Sequence, residues 1–424
     1  MTNNNSFIGG SYIPRNIEEN AFETLEDTPV LVIQGARQVG KSTLAARLAS
    51  KLDSRHVTFD NPTILQAAQN DAISFVKQYS QGVLVIDEAQ LFPQILRSIK
   101  LAVDENRRPG QFILTGSADL LHITGANESL AGRAETIHLF PFSQGELIGH
   151  KEDFVSSIMA EKLSSQDEPH NALDREAYTG ILTKGGYPEA ITREPRRRIA
   201  FFRNYLNSIL DHDAVGMSGL MHLDKLSLLF SLISAQTSTE LVKANLAKLV
   251  GIPESSVHAY ITLLHSLCLT NELPAWGRNL SKRAIGRPKL SLGDVGLTCY
   301  LNGESAETLS DLYHGESFGA LLESLVTSEF FKQQTWSAQD YSLFHFRDKD
   351  QREADIVIEL RNGKVLAIEV KATRTVIGKH FNNLRYLRDL LQESFVAGIV
   401  LYTGEEELSF GDRLFALPVC RLWM

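Results

Sequence analysis

The sequence predicts an α/β protein with three parts: a helix-flanked parallel sheet, a helical and winged-helix middle, and a second α/β domain at the carboxyl end. Three observations predict it. Between Pro29 and His150 five short apolar, β-branched runs alternate with helical stretches: Val30-Leu-Val-Ile-Gln34, Arg55 to Asp60, Val83-Leu-Val-Ile86, Gln111 to Thr115 and Glu135 to Leu139. Runs of this kind suit strands buried on both faces of a parallel sheet. From about Asp224 to Ala275, apolar residues at spacings of three and four mark helices Leu226 to Ala235, Leu241 to Val250 and Ser255 to Leu269, with a break at Gly251-Ile-Pro253. From about Gly315 the pattern reads helix, strand, strand, helix, strand. A chain of 424 residues is too long for one core, since domains average roughly 100–200 residues. The expected divisions are 1–150 for the sheet domain, 151–220 for a helical connecting or lid region, 221–300 for the winged helix and 301–424 for the last domain.

Composition excludes several classes. With 43% hydrophobic and 22% charged residues the chain is ordinary globular protein, neither disordered nor fibrous. Its net charge of −9 gives no overall attraction to nucleic acid, so any such binding must come from local basic patches. Cys268, Cys299 and Cys420 lie far apart in apolar surroundings, which indicates buried small side chains rather than a disulfide framework or a zinc site. The start MTNNNSFIGG lacks a signal-peptide pattern and no apolar run approaches membrane-spanning length, so a cytoplasmic protein with no membrane partner is expected.

The first strand runs into Gly35-Ala36-Arg37-Gln38-Val39-Gly40-Lys41-Ser42, followed by Thr43 and a helix. This matches GxxxxGK[ST] in its proper strand-to-helix setting, which predicts backbone amides around phosphates, Lys41 at the β and γ phosphates and Ser42 on magnesium. The run Val83-Leu-Val-Ile-Asp87-Glu88 ends a strand in two carboxylates. Asp87 is then expected to hold magnesium through water and Glu88 to orient or deprotonate the attacking water. At the end of the strand Phe112 to Thr115, either Thr115 or Ser117 is placed to position that water. Arg133 precedes the next strand; it suits either the phosphates of a neighbouring subunit or a surface ion pair within its own.

Gly-Ala-Arg-Gln-Val-Gly-Lys-Ser42, Val-Ile-Asp-Glu-Ala-Gln90, Leu-Thr-Gly-Ser117 and Leu-Ala-Gly-Arg133 together resemble a bacterial and archaeal AAA-type ATPase family. Its members carry a carboxyl-terminal domain of unknown function. The likeness continues through Lys184-Gly-Gly-Tyr-Pro-Glu189, Gly277-Arg-Asn279, Lys282-Arg283, Arg287-Pro-Lys289 and Asp294-Val-Gly-Leu297.

In the middle region, Ser255, Ser256 and His258 open the third helix, where a recognition helix presents side chains to a groove. Arg278, Lys282, Arg283, Arg287 and Lys289 follow like a basic wing suited to phosphate contacts, although winged helices also dock proteins. Arg193, Arg196, Arg197, Arg198 and Arg203 form a second basic cluster that either lines a channel or decorates a surface. In the last domain Asp355 precedes an Arg361-Asn-Gly363 turn, and Glu369 and Lys371 share a face of the returning strand. This is the D…ExK constellation of restriction-endonuclease-like folds, with Asp355 and Glu369 on magnesium, Lys371 at the water and Glu323 as a further carboxylate. The same residues also suit a plain ion pair, and such folds serve as binding modules too. The expected whole is an ATP- and magnesium-dependent ATPase that remodels or translocates DNA, duplex or branched, as a homo-oligomeric ring such as a hexamer. The alternatives are an ATP-gated nuclease and a nucleotide-dependent switch that docks a protein.

Overall fold

A computed structural model describes residues 12–117, 130–160, 173–210, 224–279, 283 and 286–424. Helix α1 (Glu18–Asp27) precedes β1 (Val30–Gln34), α2 (Lys41–Ala49), β2 (Ser54–Thr58), α3 (Pro62–Asn70), α4 (Ala72–Lys77), β3 (Val83–Asp87), α5 (Ile95–Glu105), β4 (Phe112–Gly116) and β5 (Ala134–His138). The five strands form one parallel sheet in the order β2-β3-β4-β1-β5. The central β1, β3 and β4 are buried throughout, and their alternating side chains serve two cores. Leu31 and Ile33 face one with Val85 and Ile113, whereas Val30 and Val32 face the other with Leu84 and Ile86. The order sets β4 between β1 and β3, so Gln34, Gly116 and Asp87 end side by side. The expected strands are all present, displaced by a residue or two at their ends.

The stretch expected as one connecting region divides between two cores. Helix α6 (Gln144–Ile148) is followed by α7 (Phe154–Met159) and α8 (Arg175–Lys184), and α7 and α8 bury Phe154, Tyr178 and Leu182 with the carboxyl-terminal domain. Helices α9 (Pro188–Ile191) and α10 (Pro195–Ser208) instead bury Phe201, Phe202 and Tyr205 with the first sheet. That second core continues into α11 (Asp224–Ala235), α12 (Lys243–Val250) and α13 (Glu254–Ser266) and into the antiparallel pair β6 (Thr270–Leu273) and β7 (Lys289–Leu292). Helices α14 (Val295–Leu301) and α15 (Ala306–Ser310) follow. The boundaries at 150 and 220 therefore do not separate independent cores.

The last domain opens with the long α16 (Gly315–Gln334). Its sheet runs β12-β13-β11-β10-β9-β8, from β8 (Tyr341–Arg347), β9 (Glu353–Leu360), β10 (Val365–Lys371), β11 (Phe395–Tyr402), β12 (Leu408–Ser409) and β13 (Leu414–Pro418). Leu322 and Leu325 of α16 cover one face with Ile356, Ile358 and Ile368, and Leu384 and Leu387 of α17 (Asn382–Leu391) cover the other with Val357 and Ala367. Three strands exceed the expectation. β8 lies at one edge, β12 at the other with two residues, and β13 ends in proline, so each carries a weak strand signal. No described helix is long and apolar enough to cross a membrane.

Candidate functional site

The loop after β1 has the geometry its glycines imply. Gly40 adopts φ 101° and caps α2. Gly35 is needed for a different reason: a Cβ there would lie 2.2 Å from the Leu139 carbonyl oxygen, because the chain leaving β5 crosses the loop and Leu139 N–H donates to Gln34 O at 2.7 Å. Arg15 braces the loop from outside, donating to Val39 O at 3.0 Å while paired with the buried Glu146 at 3.0 Å. Lys41 is buried, and its ammonium donates to the carbonyls of Gly35 (3.0 Å) and Ala36 (2.8 Å).

At the end of β3 the Ser42 hydroxyl donates to Asp87 Oδ1 at 2.8 Å, and the Thr115 hydroxyl donates to the same oxygen. Thr115 also accepts the Glu88 backbone amide at 3.1 Å, so this one hydroxyl is bonded to both Asp87 and Glu88. Glu88 itself takes a left-handed backbone (φ 55°) that turns it off the strand end. Its carboxylate accepts from the Gln90 amide, which also reaches Ser117 Oγ at 3.1 Å. Gln90 is thus a site residue that motif reading assigns no role, because its part depends on β4 lying beside β3 in space. Burial drives the Lys41 ammonium below its ordinary value, opposed by Glu88; burial likewise raises the Glu88 carboxyl, opposed by Gln90 and Lys41.

Gly40, Lys41, Ser42 and Glu88 line one wall of a cleft of about 740 Å³. Glu189, Arg193, Phe201 and Tyr205 line the other, which makes α9 and α10 a cover over the loop. The Tyr205 hydroxyl donates to Arg37 O at 3.3 Å and shares a 2.8 Å bond with Tyr187. Arg193 pairs with Glu189 at 2.8 Å inside this cleft, whereas Arg196, Arg197 and Arg203 are exposed and Arg198 caps carbonyls of Ala190 and Arg193. The sequence cluster therefore splits, one arginine reaching the cleft. A hydroxyl beside a carboxylate suits magnesium and a loop-held ammonium suits phosphates, so the side chains present fit a magnesium-bound triphosphate. Arg133 stands elsewhere. It precedes β5, whose first residue pairs with Val30 at the opposite end of β1, and its guanidinium pairs with Asp104 at 2.5 Å. It takes no part in its own chain's cleft.

In the middle region Ser255 and His258 are exposed and Ser256 half-buried on the first turns of α13. The expected basic wing divides into paired and exposed cations. Arg283 pairs with Glu359 of β9 and lies over the rings of Trp276 and Phe344, while Trp276 N–H donates to His345 O at 2.6 Å. Lys289 is buried, its ammonium 2.8 Å from Glu323, 2.9 Å from Glu353 and 3.9 Å from Asp355. Both cations are drawn onto the last domain because it offers half-buried carboxylates in Glu359, Glu323 and Glu353. Arg278 and Arg287 remain exposed, and Lys282 falls outside the described residues.

The turn Arg361-Asn-Gly363 does bring Asp355 and Glu369 together. Asp355 Oδ2 accepts the Val370 amide at 2.7 Å, and Lys371 donates to Glu369 at 2.6 Å. Burial and the neighbouring Asp355 raise the carboxyls of Glu323 and Glu369. Of the expected magnesium set, Glu323 and Asp355 face the Lys289 ammonium at 2.8 and 3.9 Å, and among the described residues no group of three or more His, Cys, Asp or Glu is arranged to hold a metal ion.

A family model described as an AAA domain matches residues 27–148, and two described as domains of unknown function, DUF8612 and DUF4143, match residues 175–308 and 318–422. The uncharacterized proteins Rv2008c of Mycobacterium tuberculosis and Mb2031c of Mycobacterium bovis are each 25% identical over 396 residues, covering 93% of this chain and 81% of theirs. Among solved structures, the Walker-type ATPase PABY2304 of Pyrococcus abyssi aligns over 69% of this chain and 96% of its own, with 15% identity and a TM-score of 0.47. The AAA match, the parallel five-stranded sheet and the grouping of Lys41, Ser42, Asp87 and Glu88 at its edge make the amino-terminal part an AAA-type P-loop ATPase domain.

Proposed function

We propose that this chain binds ATP with magnesium in the cleft above Gly35 to Thr43, hydrolyses it, and couples the turnover to remodelling or translocation of DNA in a ring of like subunits. The observation that carries the ATPase reading is the 2.8 Å contact of the Ser42 hydroxyl with Asp87, with Glu88 next along the chain and Lys41 on the same wall. Lys41 is placed to neutralise charge on the β and γ phosphates. Magnesium, held by Ser42 and Asp87, supplies charge neutralisation at those oxygens when bound. Glu88 accepts the proton of the water that attacks the γ phosphorus, as the bond to ADP breaks; burial raises its carboxyl above the ordinary glutamate range, which strengthens it as a base. Ser117, bonded through Gln90 to Glu88, steadies that base. Arg133, at the opposite end of the sheet from its own loop, is assigned to a neighbour's phosphates.

The DNA part rests on the three helices followed by an antiparallel strand pair, with Ser255 and His258 exposed on α13 and Arg278 and Arg287 exposed beyond it. The test is ATPase rate against duplex and branched DNA over a range of salt, in the wild type and in Lys41→Ala. We expect stimulation that fades as salt rises, and loss of labelled nucleotide in the variant. A rate indifferent to every DNA would overturn the coupling and favour a switch that docks a protein, and a Lys41→Ala variant that retains nucleotide would overturn the site.

A further inference from the structure

The carboxylates Glu323, Asp355 and Glu369 have the pattern of a divalent-cation site, and the residues around them do not fit one. Lys289 enters from the middle region and reaches Glu323 Oε1 at 2.8 Å and Glu353 Oε1 at 2.9 Å, with Asp355 Oδ1 at 3.9 Å. A second ammonium, Lys371, holds Glu369 Oε1 at 2.6 Å. Asp355 spends its other oxygen on the Val370 amide at 2.7 Å, where the β9–β10 ladder ends at Ile356 and Ile368. A dication on Asp355 and Glu369 would sit against these two ammonium groups in a buried pocket, where repulsion is poorly screened. We propose that the Lys289 ammonium takes the place of a metal ion, so that the cluster is a metal-independent clasp fastening the β6–β7 pair to the last domain.

The backbone supports a fixed clasp. Lys289 is 4% exposed and opens β7, paired with Leu273 of β6, while Pro288 O accepts the Leu241 amide at 2.7 Å. Arg283 reinforces the join from the same connection through Glu359, and the segment at Ala275 bridges His345 of β8. One oxygen of the cluster, Glu369 Oε2, is buried without a hydrogen-bond partner. It marks where a cation would be bound if Lys289 were neutral, because the four carboxylates would then keep only the Lys371 ammonium.

The experiment is manganese(II) titration of the nucleotide-free full chain, followed by electron paramagnetic resonance, with Asp87→Ala in every sample to remove the P-loop's contribution. With Lys289 intact, no bound manganese depends on Glu369. Lys289→Met gains one equivalent per chain, roughly tenfold or more tighter than the parent, and adding Glu369→Gln abolishes it. Lys289→Arg keeps the charge and gains none. An equivalent bound with Lys289 intact and lost in Glu369→Gln overturns the proposal without requiring any lysine variant to fold. A folded Lys289→Met chain that gains no site overturns it as well.

Discussion

Glu88 and Gln90 show how a site's chemistry depends on single contacts. Burial raises the Glu88 carboxyl, and the Gln90 amide acts against that rise by favouring the charged form. A general base must be deprotonated, so kcat falls as pH drops through the raised value, and the acid limb lies above the ordinary glutamate range of about 4.3. Gln90→Ala removes a contact that stabilises the carboxylate, so its limb moves to still higher pH; a limb that stays put would show that Gln90 does not act on Glu88. Glu88→Gln should cost roughly 10²–10⁴ in kcat with nucleotide binding kept. A structural counterpart is Glu152, buried among Glu146 and Glu329 and pushed up to about 8. A folded value above the unfolded one means stability is full at low pH and is lost as pH rises between about 4.3 and about 8. Glu152→Gln should therefore melt progressively higher than wild type as pH climbs through that window, and equal melting curves across it would contradict the assignment. Lys41, Ser42, Asp87 and Glu88 were legible in the sequence because each motif is contiguous. The bond from Gln90 to Ser117 and the ion pairs of Lys289 reach strands or domains far away in the chain, and no local pattern announces such contacts.

At the scale of elements, legibility followed burial and length. The five strands of the first sheet were readable because three are continuously apolar, whereas β8 and β12 lie at sheet edges and escaped. The Lys184-Gly-Gly-Tyr-Pro-Glu189 and Asp294-Val-Gly-Leu297 stretches turn out to be two halves of one contact. Asp294 caps α14 through the Leu297 amide at 2.9 Å and also accepts the Gly186 amide at 2.7 Å. Gly185 sits against this carboxylate with φ 64° and ψ −157°, a region essentially reserved for glycine, and a Cβ there would lie 2.3 Å from Asp294 Oδ1. Gly185→Ala should cost at least about 1–3 kcal/mol, read as a lower melting temperature. It should also weaken nucleotide binding, because α9 and α10 over the cleft follow directly from this turn. Gly180, inside α8 with no heavy atom within 4 Å of its would-be Cβ, is the matched control. Gly180→Ala should be stabilising by about 0.5–1 kcal/mol, and a loss as large as that at Gly185 would refute the contact argument.

For the whole molecule, the winged pattern is joined to its neighbours on both sides. Its helices share a core with the ATPase sheet, and its strand pair is fastened to the last domain through Lys289 and Arg283. A change at the P-loop cleft therefore has a packed route to α13 through α10, whose Phe202 and Leu206 belong to that same core. The net charge of −9 leaves any DNA affinity to exposed local cations, and folding has separated those from the cations it consumed internally. Arg278 and Arg287 are exposed, whereas Arg283 is paired with Glu359 between two aromatic rings. Sequence alone groups all three, since they lie within ten positions of one another. If the wing touches phosphates, Arg278→Ala and Arg287→Ala should each reduce the slope of log affinity against log salt by about 1, with melting unchanged. Arg283→Ala should do the reverse, lowering the melting temperature while the slope holds, because it removes a join between domains and no phosphate contact. DNA titrations at several salt concentrations, paired with melting curves for each variant, separate the two outcomes. An Arg283→Ala slope that falls as far as the others would mean the pair with Glu359 opens on DNA and the clasp is not fixed.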